Sequence, residues 1–160
     1  MINQHGGMSR ELILVAGLSP ADIALVHREA LRVLRTDIDA AHLDAYSDDP
    51  WPPAVLRSYE RVLCLAREAV AAGTRAQRAD PGMGIDIDVR DDAQFEPMLD
   101  LVPHTINAEG WREGQLVFGT SDSGTSLWMA LTQEQEAELL SRLAAQGIPS
   151  TALAVQPPGR

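Results

Sequence analysis

A single cysteine, Cys64, is the first thing this chain is short of. With no second thiol there is no internal disulfide, which suits a reducing compartment. Lysine is missing altogether: all thirteen basic residues are arginine, a composition that reads as bias toward GC-rich codons and carries no mechanism. Aromatics make up only 4% of the sequence, so leucine, valine, isoleucine and alanine must do most of the core filling. No apolar run approaches the roughly 18 residues of a membrane helix. The stretch with Arg10 and Glu11 ahead of a short apolar run lacks the basic region and length of a secretion signal. The expectation is a soluble, cytoplasmic protein with no membrane partner.

What is present fits one ordinary domain. A chain of 160 residues can bury about 68–70% of its unfolded surface, so it needs neither metal nor disulfide to hold a core. An apolar fraction of 45% with 22% charge is globular and not the disordered signature. The charge is unevenly placed. Residues 80–140 carry thirteen acids against two arginines, Arg90 and Arg112, while residues 1–79 carry ten acids against nine arginines. The net charge of −10 therefore sits in the C-terminal half. Such a surface repels a phosphate backbone, which argues against nucleic acid, and it steers a basic protein surface toward itself. Solubility alone is the plainer explanation of the same acidity.

Along the chain, residues 1–8 read as a flexible tail and 9–147 as a single α+β domain, with 148–160 a loosely held C-terminal tail. Arg10–Leu18 reads as an interior strand or a short helix. Ser19, Pro20 and Asp22 make a helix start, and apolar spacing carries that helix, kinked, through Ile38 and Leu43 to about Tyr46. The prolines of Ser47–Pro53 break it. Trp51, between two of them, is either a lid over the core or an exposed contact. A second helix covers Ala54–Ala72 and holds Cys64, read as a small buried apolar residue. Ile85, Ile87 and Val89 alternate with Asp86, Asp88 and Arg90 as a half-buried strand. A short helix or turn begins at Asp91, and His104–Gly114 is a connecting loop carrying Trp111. The most strongly specified stretch comes next: Gln115–Leu131 as a β-hairpin, with Gly124 at a positive-φ turn position. After it, Thr132–Gln135 forms a capping box opening a helix that ends at Gly147. The fold expected is α+β, an antiparallel sheet of about four strands with helices packed on one side, ending in the hairpin and an amphipathic helix.

No complete catalytic, metal or nucleotide signature appears. Asp86 and Asp88, at i and i+2 on a strand, could share a face with a divalent ion, but Arg90 breaks the Ca²⁺-loop pattern. Gly82 and Gly84 precede a strand where a dinucleotide site needs them after one. Gly119–Ser123 sits between strands, where a nucleophile elbow needs strand then helix. The four histidines show no metal spacing, and Pro103 interrupts the link between Asp100 and His104 as a base and its orienter. Trp111, among Glu109, Arg112 and Glu113, reads either as a hot spot within a charged rim or as packing against the hairpin beside Trp128.

One stretch of sixteen residues, LVFGTSDSGTSLWMAL, resembles the strand, glycine-containing turn and strand of the SUKH superfamily of small acidic immunity proteins. The resemblance implies a toxin-neutralising role. The leading expectation is thus a non-enzymatic module that binds a basic protein, a toxin in its most specific form, through Asp86, Asp88, Asp91, Asp92 and Trp111. No catalytic residue, metal ligand or cofactor is assigned. Two other readings stand beside it. One is a small enzyme or ligand-binding protein using Asp86, Asp88 and a histidine with a divalent ion. The other is a homo-oligomer in which Arg28, Arg32 and Arg35 meet another copy's acids.

Overall fold

The computed structural model describes residues 9–156. They form one seven-stranded antiparallel sheet and four helices. In chain order these are β1 (Ser9–Leu14), α1 (Pro20–Leu34), β2 (Ala40–Leu43), α2 (Leu56–Ala71), β3 (Ile85–Ile87) and α3 (Asp92–Leu101). They continue as β4 (Asn107–Arg112), β5 (Gln115–Ser121), β6 (Ser126–Thr132), α4 (Gln133–Ala145) and β7 (Leu153–Val155). The strand order is β3-β2-β4-β5-β6-β1-β7. None of the described helices is long and apolar enough to cross a membrane. The expected tail at residues 1–8 lies outside the described residues.

Seven strands replace the expected four or so, and the additions have physical reasons. The first helix ends at Leu34 and does not run on to Tyr46. A 3-10 turn at Arg35–Asp37 leads into β2, whose Ala41 and Leu43 point into the core while His42 points away. The expected loop before the hairpin is β4. Its inward residues are only Ala108 and Gly110, too small to announce a strand by apolar alternation. Gly110 is small because Ile38 presses on it: a Cβ there would lie 2.8 Å from Ile38 Cδ1. Nor does the chain end on its last helix. Ile148 and Ala152 are buried, and β7 pairs with β1 through Leu12↔Val155 and Leu14↔Leu153, covering the edge that β1 would otherwise expose.

The sheet has one covered face and one open face. Register places Leu12, Met129 and Phe118 side by side across β1, β6 and β5, and Ala108, Leu43 and Ile85 across β4, β2 and β3. All of these join the helices' buried residues in a single apolar core. On that covered side α1 packs on α4, and α2 packs on α3.

Caps and polar locks fix the helices. Ser19 accepts from Asp22 N at 3.1 Å with Pro20 at the first helical position. Thr132 and Gln135 close a reciprocal capping box, at 3.1 and 2.9 Å, a cap of this kind contributing about 1 kcal/mol. Glu29, buried on α1, accepts from Arg32 at 2.7 Å, Gln146 at 3.0 Å and Arg142 at 3.2 Å, so one carboxylate ties α1 to α4. Trp51 stacks on Tyr59, with ring centroids 5.2 Å apart, and donates its indole N–H to the Tyr46 carbonyl. Half-buried against the core, it is the lid and not an exposed contact.

His27 supplies the lock between α1 and the centre of the sheet. Its Nδ1 lies 2.8 Å from the Ile23 carbonyl, which can only accept, so the proton sits on Nδ1. Nε2 is left bare and accepts the Thr120 hydroxyl of β5 at 2.7 Å. Burial holds this imidazole's pKa down to about 4. The Ile23 hydrogen bond opposes that shift, and Arg28 and His104 reinforce it.

Candidate functional site

The open face is what the fold leaves available. One cross-strand row runs Asp86, His42, Glu109, Gly119, Trp128 and Ile13 over six adjacent strands. Next to it, Trp111 pairs with Ala40 on one side and Leu116 on the other. A register shift after Gly110 leaves Val117 as the extra residue on β5, so Leu116 comes to lie opposite Trp111. Trp111, Leu116, Trp128 and Ile13 are half-buried on a face that no described helix covers.

Charge is organised around these apolar side chains. His42 Nε2 lies 3.0 Å from Glu109 Oε1, and Trp128 donates its indole N–H to Glu11 Oε1 at 2.9 Å. Asp86 occupies the same face on the edge strand and is exposed. Between Glu109 and Trp128, Gly119 contributes no side chain, and a depression of about 190 Å³ opens there. Asn107, Leu116 and Ser121 also border it. A carboxylate at one wall suits a cation, and an indole borders the same depression.

The residues singled out from sequence are distributed differently from their spacing. Asp86 and Trp111 share the open face, with β2 between their strands. The other three aspartates serve their own backbone and neighbours. Asp88 follows β3, and its carboxylate accepts from Arg90 N at 3.0 Å. Asp91 is the N-cap of α3, accepting from Ala93 N at 2.9 Å. Asp92 pairs with Arg35. Among the described residues no three His, Cys, Asp or Glu side chains group to hold an ion.

Other candidates resolve into structure as well. Asp100 accepts the Ser58 hydroxyl at 2.6 Å, while His104 is pushed below its ordinary range by burial and then by Arg28, with Asp100 opposing. Cys64 is half-buried, not fully buried, with Sγ 3.5 Å from Glu68. Arg28 donates to the Leu99 and Asp100 carbonyls, Arg32 to Glu29, and Arg35 to the Val89 carbonyl and Asp92. Arg28 thus ties α1 to α3, and Arg35 ties the turn after α1 to the start of α3, while the Arg32 pair stays within α1.

Sequence reasoning missed His42 and Glu109 as face residues because it placed them in a helix and a loop. The available signal was the alternation in Asn107–Arg112, where small Ala108 and Gly110 face inward between larger outward residues. Compared with family models, curated proteins and solved structures, the chain matches none, so the immunity-protein resemblance rests on its sixteen hairpin residues alone.

Proposed function

We propose that this protein is a non-enzymatic binding module whose open sheet face docks a basic protein. One observation carries the reading: Trp111, Leu116, Trp128 and Ile13 lie half-buried on a face that no described helix covers and that also holds Glu11, Asp86 and Glu109. Binding hot spots favour tryptophan at the centre of a polar rim. The depression over Gly119 takes a partner's arginine or lysine between Glu109 and Trp128, and the acidic C-terminal half steers the encounter. Inhibition of a basic toxin is the most specific form of this role, and the hairpin resemblance supports it.

Two rate constants should separate steering from packing. With a partner recovered on the immobilised wild-type protein and identified, the association rate should fall steeply from low to high salt. Asp86→Asn should flatten that dependence, whereas Trp111→Ala should chiefly raise the dissociation rate. An association rate indifferent to salt removes the electrostatic half of the reading.

A further inference from the structure

The molecule carries one pocket of the opposite sign. Arg67 and Val70 on α2, with Arg75, Arg78 and Pro81 from the loop that follows, line a cavity of about 370 Å³. Three arginines line it and no carboxylate is among its described lining residues, in a chain with 23 acids against 13 arginines. Elsewhere Arg10, Arg32, Arg35, Arg112 and Arg142 all pair with carboxylates; among the described residues these three pair with none.

Their hydrogen bonds show how the cluster is held. Arg75 donates to the carbonyls of Gly84 at 2.8 Å, Pro81 at 3.1 Å and Met83 at 2.5 Å, so its cation is anchored by backbone oxygens that carry no net charge. Arg78 spends one donor on the Met83 carbonyl at 3.0 Å, leaving the rest of its fork free, and Arg67 makes no hydrogen bond among the described residues. Burial, then Arg78, lowers the Arg75 pKa, and Asp86 offsets this only in part. Arginines lining one pocket with no ion-paired carboxylate among the described residues are an arrangement that an anion relieves. Guanidinium forks match carboxylate and phosphate oxygens in pairs. Ala66, Val70 and Pro81 supply an apolar wall beside them, and the volume lies at the small end of ligand sites.

We propose that the Arg67–Arg75–Arg78 pocket binds a small organic anion, its carboxylate or phosphate taken by Arg67 and Arg78 and its apolar body laid against Val70 and Pro81. This site stands independently of the docking face, since its charge and its ligand are of the opposite kind.

Calorimetry with phenyl phosphate, phenylacetate and inorganic phosphate tests it on the full chain. Saturable binding of at least one aromatic anion is expected, about tenfold or more tighter than inorganic phosphate, and the tighter of the two identifies the headgroup. Arg67→Gln should weaken it about tenfold, and Arg67→Gln with Arg78→Gln should abolish it, with the Arg67→Gln unfolding midpoint unchanged because that side chain is exposed and makes no hydrogen bond. Absence of saturable heat with both aromatic anions overturns the proposal. So does equal affinity for inorganic phosphate, or wild-type affinity in Arg67→Gln.

Discussion

Gly82→Ala should cost the fold about 3 kcal/mol, read as a drop in the urea unfolding midpoint at unchanged slope. Gly82 is buried in the loop before β3, and its carbonyl accepts from Ala45 N at 2.7 Å. A Cβ at this position would fall 1.7 Å from the Ala45 carbonyl oxygen and 2.4 Å from its carbon. Both atoms are backbone, so no rotamer relieves the overlap, and the loop must move off the segment that follows β2 and lose its hydrogen bond. The same substitution at Gly119 is the control. There the nearest atom to an added Cβ is Leu116 Cδ2 at 3.6 Å, an ordinary contact, and the expected change is within about 0.5 kcal/mol. Equal midpoints for Gly82→Ala and wild type would mean that the loop does not lie against Ala45.

Acid should weaken the fold through His27 before the carboxylates begin to titrate. The folded pKa is lowered to about 4 from an ordinary 6.5, so the neutral imidazole belongs to the folded state and the unfolded chain takes up the proton first. Stability from this group is complete above pH 6.5 and is lost as pH falls toward 4. The full shift corresponds to about 3 kcal/mol, of which about 2 kcal/mol is gone by pH 5. His104 adds a loss of the same sign. Unfolding free energies of wild type and His27→Gln, measured between pH 7.5 and 5, separate the contributions. The variant should be less stable at neutral pH and should lose most of the slope; a slope equal to wild type would mean that His27 is solvated and protonates freely.

Local chemistry was the legible part of this fold. The Ser19 cap, the Thr132–Gln135 box and the positive φ of Gly124 depend on residues within a few positions of one another, so the chain announces them directly. What the chain conceals depends on distant partners. Strand β2 exists because β3 and β4 pair with it, although its spacing continues the preceding helix. Strand β4 hides behind alanine and glycine, and β7 has only three residues against β1.

The candidate site was legible in composition and not in geometry. Counting charge found the acidic half, but Asp88, Asp91 and Asp92 are used in a turn, a helix cap and an ion pair. Asp86 and Trp111 share a surface only once the strands are ordered, and that order also brings in Glu109, Gly119 and Trp128 from either side.

Gly119→Tyr gives the most direct measurement of the docking face. The substitution fills the depression between Glu109 and Trp128 while leaving both of those residues in the chain, and tyrosine suits a strand position better than glycine. Its affinity for the partner retained by the wild-type protein, measured beside its unfolding midpoint, is the readout. The open-face account predicts a midpoint no lower than wild type and an affinity reduced about thirtyfold or more. A stable Gly119→Tyr protein that binds that partner as tightly as wild type would contradict it.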